Sequence, residues 1–328
     1  MMAYAFLAVG LVLLVVGSDL VLRGGVGLSR VLGLSPLLIG LVVVSAGTSL
    51  PELVVSLQAA FREAPDLAVG NVVGSNIVNI LLILGLGALV RPLPSSPKVV
   101  LRDGSAMIAA SVALLIVTRG GIINEHIGWL FLVGFIAYLV LSFFTDRRRS
   151  GDGSLASARA AEVSTSQTSL GMAALLLVFG LVALFFGARY LVDGGVAIAR
   201  DYHVPEAVIG LTVIAIGTSL PELATTVFAA ARGQTNIAVG NLIGSNIFNI
   251  LLVLGATAVV HPLPVSPLVS HFDVYVMTGS ALLVVPLMAM GWRVSRFQGL
   301  LLALSYMAYI GFIAYRQGLV TPAMIGLG

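Results

Sequence analysis

The heptapeptide GTSLPEL occupies residues 47–53 and returns unchanged at residues 217–223. A longer pattern, AVGN-x-x-GSNI-x-NILL, fills 68–82 and again 238–252. Both recur at an offset of 170 residues, and 24 of 40 positions are identical between 47–86 and 217–256 without a gap. The match continues more weakly outward, from GGV at 24–26 to GGV at 194–196 and from RPLPSSP at 91–97 to HPLPVSP at 261–267. Two copies of one unit therefore make up the chain.

Composition says what kind of unit it is. Of 328 residues, 59% are hydrophobic and 9% charged. A soluble domain carries about 25% charged residues, so this chain cannot clothe itself for water. A helix needs about 20 apolar residues to cross a bilayer, and runs of that length recur throughout. Ten spans are expected, at 2–32, 35–61, 66–90, 99–118, 123–144, 169–200, 205–231, 236–260, 270–290 and 296–316. The first and sixth exceed one bilayer thickness, which implies tilt or a projecting end. Residues 1–17 lack a basic leader and a small-residue cleavage site, so they read as the first span.

Between spans five and six, residues 145–168 are rich in Ser, Ala and Gly, carry Arg147, Arg148 and Arg149, and read as a linker. The division is thus 1–144, 145–168 and 169–328. Five spans per half is an odd number, so the second half enters the membrane from the opposite side. The expected fold is an all-α integral membrane protein of ten transmembrane helices, arranged as two inverted-topology repeats of five, with the site near mid-membrane where the repeats meet. With both termini outside, twelve of the 17 basic residues fall on the cytoplasmic face, which favours that orientation in a cell membrane. The expected surroundings are membrane lipid; nothing in the sequence points to nucleic acid or to an obligate protein partner.

An ionised carboxylate in mid-bilayer costs a few kcal/mol even on lenient scales, and such residues default to function. Asp66, Asp103, Glu125, Asp146 and Asp273 fall near span ends or in loops, where that cost is avoided. Glu52 and Glu222 fall inside apolar spans, at equivalent places in the two repeats. Thr48 and Ser49 precede Glu52 by four and three residues and share its helix face. Pro51 lacks an N–H and its ring clashes with the carbonyl of Gly47, so the helix should break there and free carbonyl oxygen. Gly217, Thr218, Ser219, Pro221 and Glu222 repeat the arrangement. In the second motif Ser75 and Asn79 lie one turn apart, as do Ser245 and Asn249. Asn71, Asn76, Asn241 and Asn246 are read equally as helix-bonding amides or as ligands. With no cysteine there are no thiolate sites, and the four histidines fall near span ends. An all-oxygen shell suits hard cations: Na⁺, Ca²⁺ or Mg²⁺.

At these motifs the sequence resembles the sodium/calcium exchangers of the cation/calcium exchanger superfamily, whose two α-repeats look like the paired GTSLPE and GN-x-x-GSNI-x-N segments. The resemblance covers essentially the whole chain and implies a prokaryotic-type secondary antiporter exchanging Na⁺ for Ca²⁺ by alternating access. Glu52 and Glu222 would be the central carboxylates, and Thr48 and Thr218 would give backbone carbonyls to calcium. Ser49, Ser75, Ser219 and Ser245, with backbone oxygen near Ser45 and Ala215, would form flanking sodium sites. Asn79 and Asn249 would line the middle. Many members carry aspartate where this chain has Asn249, so here the site holds two formal negative charges, matched by one Ca²⁺ or two Na⁺. No cofactor is implied beyond the transported Ca²⁺ and Na⁺. The proton-coupled calcium branch usually has a GN-x-x-E form of the first motif, absent here.

Rival readings are an antiporter coupled to H⁺ or K⁺, and a cation channel. An intramembrane enzyme would need an Asp pair, a Ser/His pair or H-E-x-x-H at depth, and the spans contain none.

Overall fold

A computed structural model describes residues 2–62, 64–97, 99–150, 169–204, 215–267 and 269–316. Among the described residues nine helices are long and apolar enough to cross a membrane. They are α1 (Met2–Leu32), α2 (Pro36–Phe61), α3 (Pro65–Val90), α4 (Val99–Thr118), α5 (Glu125–Asp146), α6 (Leu170–Asp201), α8 (Thr235–Val260), α9 (Val269–Trp292) and α10 (Arg296–Arg316). A shorter apolar helix, α7 (Leu220–Ala231), stands at the end of the expected seventh span. The first ten residues of that span, 205–214, and linker residues 151–168 lie outside the described residues.

The expected all-α fold carries one small addition, four two-residue strands: β1 (Leu93–Pro94), β2 (Ile122–Ile123), β3 (Leu263–Pro264) and β4 (Arg293–Val294). β1 pairs antiparallel with β4, and β2 with β3. β1 and β3 occupy equivalent repeat positions, so the two ribbons are copies of each other. Counting crossings, the ends of α3 and α9 share one face and those of α4 and α8 the other. Each face is thereby stitched across the halves by its own ribbon, as inverted repeats require. The face holding the α5–α6 connection is called the linker face below, and the other the terminal face.

α1 and α6 run antiparallel along a seam of glycines seven residues apart. A Cβ at Gly10 would lie 2.8 Å from the carbonyl oxygen of Gly187, one at Gly17 2.9 Å from that of Gly180, and one at Gly24 2.6 Å from the amide nitrogen of Leu177. Gly10, Gly17 and Gly24 are the repeat equivalents of Gly180, Gly187 and Gly194. Without a hydrophobic drive between helices in lipid, such backbone contact supplies the packing energy. Large side chains on the far side of this pair, such as Leu11, Val12, Phe179 and Val182, are exposed. α3 and α8 form the buried centre instead.

Asp103 and Asp146 stand near span ends as expected, but both are buried, so their position alone does not spare them the cost. Asp103 is fully buried, gripped by Nε and Nη2 of Arg102 at 2.8 and 2.9 Å and by the Tyr138 hydroxyl at 3.2 Å. Asp146 accepts the Ser35 amide at 2.9 Å and its hydroxyl at 2.6 Å, clamping the end of α5 to the start of α2. Buried charge is tolerated here because each carboxylate has its donors in place.

The glycine seam predicts a graded response. Gly180→Val would drive a side chain into the α1 backbone, where a Cβ already meets the Val21 amide at 2.6 Å. It should cost about 1–3 kcal/mol or more and lower the melting temperature in detergent. Gly134→Val, where a Cβ meets nothing within 4 Å, should leave the melt unchanged.

A mid-membrane carboxylate pair

The helix breaks where the sequence places its proline. In α2 the first segment closes with the Ser49 amide on the Ser45 carbonyl at 2.9 Å, Ser49 turns with φ −85° and ψ 5°, and a new helix begins at Leu50. Ser219, with φ −89° and ψ 7°, does the same before α7. Pro51 and Pro221 then sit in the first turn of the new segments, where a missing N–H costs nothing. Glu52 and Glu222 also fall in those first turns. They are not mid-helix residues but stand at the positive ends of two half-helices, which favour negative charge. Ser49 has 13 residues of α2 on one side and 12 on the other, so this end lies halfway across.

The second motif carries its own irregularity. α3 passes through a π-helical stretch at Val78–Ile83 and α8 through one at Phe248–Leu254, enclosing Asn79 and Asn249. A third covers Ile39–Val44, just before the break in α2. Such widened turns misalign backbone carbonyls and occur frequently at functional sites.

The two halves are clasped crosswise at the carboxylates. Ser49 Oγ donates to Glu222 Oε1 at 3.2 Å, and Ser219 Oγ donates to Glu52 Oε1 at 3.3 Å. Ser245 Oγ adds a bond to Glu222 Oε1 at 3.4 Å, and Ser75 Oγ lies 3.5 Å from Thr218 Oγ1. Glu52, Glu222, Ser49 and Ser219 are all buried, as are Thr48, Ser75 and Ser245. On each carboxylate Oε2 is buried without a hydrogen-bond partner. No ion pair among the described residues reaches either glutamate. Nor do three His, Cys, Asp or Glu side chains cluster among them, so hydroxyl, amide and carbonyl oxygens must complete any cation shell.

Asn79 and Asn249 are also fully buried, but no hydrogen bond joins them to the carboxylates. Both polar atoms of Asn79 lack partners, as does Oδ1 of Asn249. Asn249 Nδ2 donates to Asn76 Oδ1 at 3.1 Å. Asn76 in turn donates to the Asn246 carbonyl at 3.3 Å, so these amides tie α3 to α8.

Asn71 and Asn241, left undecided by sequence, bond to the threonines of the opposite half. Thr48 Oγ1 donates to Asn241 Oδ1 at 3.1 Å and Thr218 Oγ1 to Asn71 Oδ1 at 3.4 Å. Ser56 and Thr226 were not singled out from sequence, yet they receive Asn71 Nδ2 at 3.0 Å and Asn241 Nδ2 at 3.3 Å. The signal available was the repeat itself, which keeps a hydroxyl at both positions 56 and 226.

The family model for sodium/calcium exchanger proteins matches residues 2–144 and 172–315. The chain belongs to the sodium/calcium exchanger family. This exchanger is 37% identical over 312 residues to a putative antiporter, CaxA, of Alkalimonas amylolytica, covering 94% of this chain and 98% of the relative. It is 43% identical over 281 residues to the inner membrane protein YrbG of Escherichia coli, covering 84% and 86%. The sodium/calcium exchanger MaX1 of Methanosarcina acetivorans is 32% identical over 344 residues, covering 95% and 98%. Its fold superposes on that of the sodium-calcium exchanger NCX_Mj with a TM-score of 0.81 at 29% identity, covering 95% of this chain and 99% of the other. As a family member this chain is a multi-pass membrane transporter, a cation/Ca²⁺ antiporter.

Proposed function

We propose that the protein exchanges Na⁺ for Ca²⁺ by alternating access, with both cations using the oxygen cluster around Glu52 and Glu222. The observation that carries this reading is the pair of buried carboxylates, each with one oxygen held by a serine of the opposite half and one oxygen without a partner. Two buried negative charges with no ion-pair partner among the described residues demand compensation, because an unpaired ion in low dielectric costs several kcal/mol. A cation supplies it. Oxygen-only surroundings favour hard ions, and two charges match one Ca²⁺ or two Na⁺. Thr48 and Thr218 would contribute carbonyls. Ser49, Ser75, Ser219 and Ser245 would contribute hydroxyls to flanking sodium positions, and Asn79 and Asn249 amide oxygens at the centre.

Exchange follows from the same electrostatics. The cation-free site with ionised carboxylates resists enclosure, so the protein closes and reopens mainly when loaded. The seamed α1–α6 pair is the natural moving body, since it packs as one unit beside the α2, α3, α7 and α8 core. In a cell membrane with the termini outside, inward sodium flow would expel calcium.

Glu52→Gln and Glu222→Gln each remove one charge while keeping volume. In proteoliposomes both variants should lose sodium-gradient-dependent calcium uptake down to the level of protein-free vesicles. Uptake persisting in either variant at a substantial fraction of the native rate would sink the assignment of that carboxylate.

A further inference from the structure

We infer that Asn71 and Asn241 are positioning residues that hold the site threonines across the repeat interface. The inference rests on the proposed cation site. Each asparagine faces two ways. Asn71 Nδ2 donates to the carbonyl of Glu52 at 3.2 Å and to Ser56 Oγ at 3.0 Å, fixing α3 to the half-helix of its own repeat. Its Oδ1 accepts the Thr218 hydroxyl of the other repeat. Asn241 likewise holds Thr226 and accepts the hydroxyl of Thr48. A hydroxyl has one proton. Each threonine hydroxyl has a second contact, Thr48 Oγ1 with the Ser45 carbonyl at 3.4 Å and Thr218 Oγ1 with Ser75 Oγ at 3.5 Å, and in both cases the asparagine oxygen is the nearer partner. Each half thus orients the residue just before the helix break in the other half.

The test is a double-mutant cycle on the calcium concentration giving half-maximal uptake. Thr48→Val and Asn241→Ala should each raise it about fivefold, the size of one net hydrogen bond, with maximal rate little changed. The double variant should be no worse than either alone, and Thr48→Ser, which keeps the hydroxyl, should recover most of the affinity lost in Thr48→Val. Additive losses, or a native-like Thr48→Val, would overturn the inference. Should Asn241→Ala not fold, the contrast between Thr48→Val and Thr48→Ser decides it alone. If the native protein responds to sodium but not calcium, the calcium reading fails and the same cycle is run on the sodium-induced melting shift.

A second inference comes from a place where the two repeats differ. On the linker face Asp19 of α1 bonds Arg232, at the end of α7, at 3.2 Å and Arg23 at 2.6 Å. This ion pair ties the α1–α6 body to the core beside a cavity of about 580 Å³ lined by Asp19, Arg23, Arg30, Met172, Arg232 and Gln234. At the equivalent place on the terminal face the residues are Arg189 and Arg62. Two cations cannot pair, and Arg189 instead approaches Asp193 within its own helix at 3.9 Å. The geometry points to a charge latch: the fold is nearly symmetric, but an ion pair closes one face while like charges discourage closure of the other. The pair biases the exchanger toward states sealed at the linker face. It rests on the alternating-access reading.

The chain has no cysteine, so a single thiol reports opening directly. Thr225 is fully buried, one turn from Glu222 toward the linker face, and Thr225→Cys places that thiol. Labelling by a membrane-impermeant maleimide is followed from each face separately. Asp19 is 22% and Arg232 58% exposed, so a partly solvated pair is broken and the effect is modest. Asp19→Asn should accelerate labelling from the linker face about two- to fivefold. Asp19→Arg with Arg232→Asp should restore the slow rate, Arg23→Gln should leave it near the original, and Arg189→Asp, which gives Arg62 a partner, should accelerate it. Unchanged labelling in Asp19→Asn, or no restoration on swapping, would overturn the latch. A thiol labelled from one face only in every variant would instead count against alternating access.

Discussion

Two carboxylates buried in mid-membrane, each held by a serine of the opposite repeat, are the constraint on which the structure depends. Placing one such charge at that depth is costly; placing two together, with no ion pair to either among the described residues, is worse by their repulsion. The surrounding architecture reads as the set of conditions under which the arrangement survives. Helices break so that half-helix N-termini face the charges. Hydroxyls of Ser49, Ser219 and Ser245 donate to one oxygen of each. The remaining oxygens have no hydrogen-bond partner, which is the ground for the proposed cation site.

Polar chemistry at that depth requires a packed surround. Small residues supply it, because helices meeting at glycine bring backbones into contact and leave no room for lipid. The contrast between the two helix classes follows. α3 and α8 carry the asparagines and are buried on nearly every side, while α1 and α6 bury one face, with the glycine seam and side chains such as Val21 and Leu184, and expose bulky side chains on the other. The α1–α6 pair, held together by its glycine seam and bonded to the end of α7 through Asp19–Arg232, is the body proposed to move against that core.

Much of this was legible in the sequence, for identifiable reasons. The exact 170-residue register exposed the repeat, the odd span count exposed its inversion, and Pro51 and Pro221 exposed the breaks. Glu52 and Glu222 stood out because apolar spans rarely carry acids. What escaped was set by side-chain direction and by contacts between distant segments. Asp103 looked like a span-end acid, yet Arg102 and Tyr138 bury it. Asn249 reads as a residue of the site's middle, and its amide bond to Asn76 is a contact between helices that the local pattern does not show. The roles of Asn71 and Asn241 depend on threonines 147 and 193 residues away in sequence, separations that no local pattern encodes. The glycine heptads were present in the sequence, but only the antiparallel approach of α1 and α6 gives their spacing meaning.

Ion coupling is the central claim, and one flux experiment addresses it most directly. Proteoliposomes loaded with Na⁺ and diluted into Na⁺-free medium should accumulate radioactive calcium, and loading with K⁺ or choline at equal pH should abolish the accumulation. Calcium uptake that follows an imposed pH gradient instead, or that proceeds equally with no counter-ion gradient, would contradict sodium-coupled exchange.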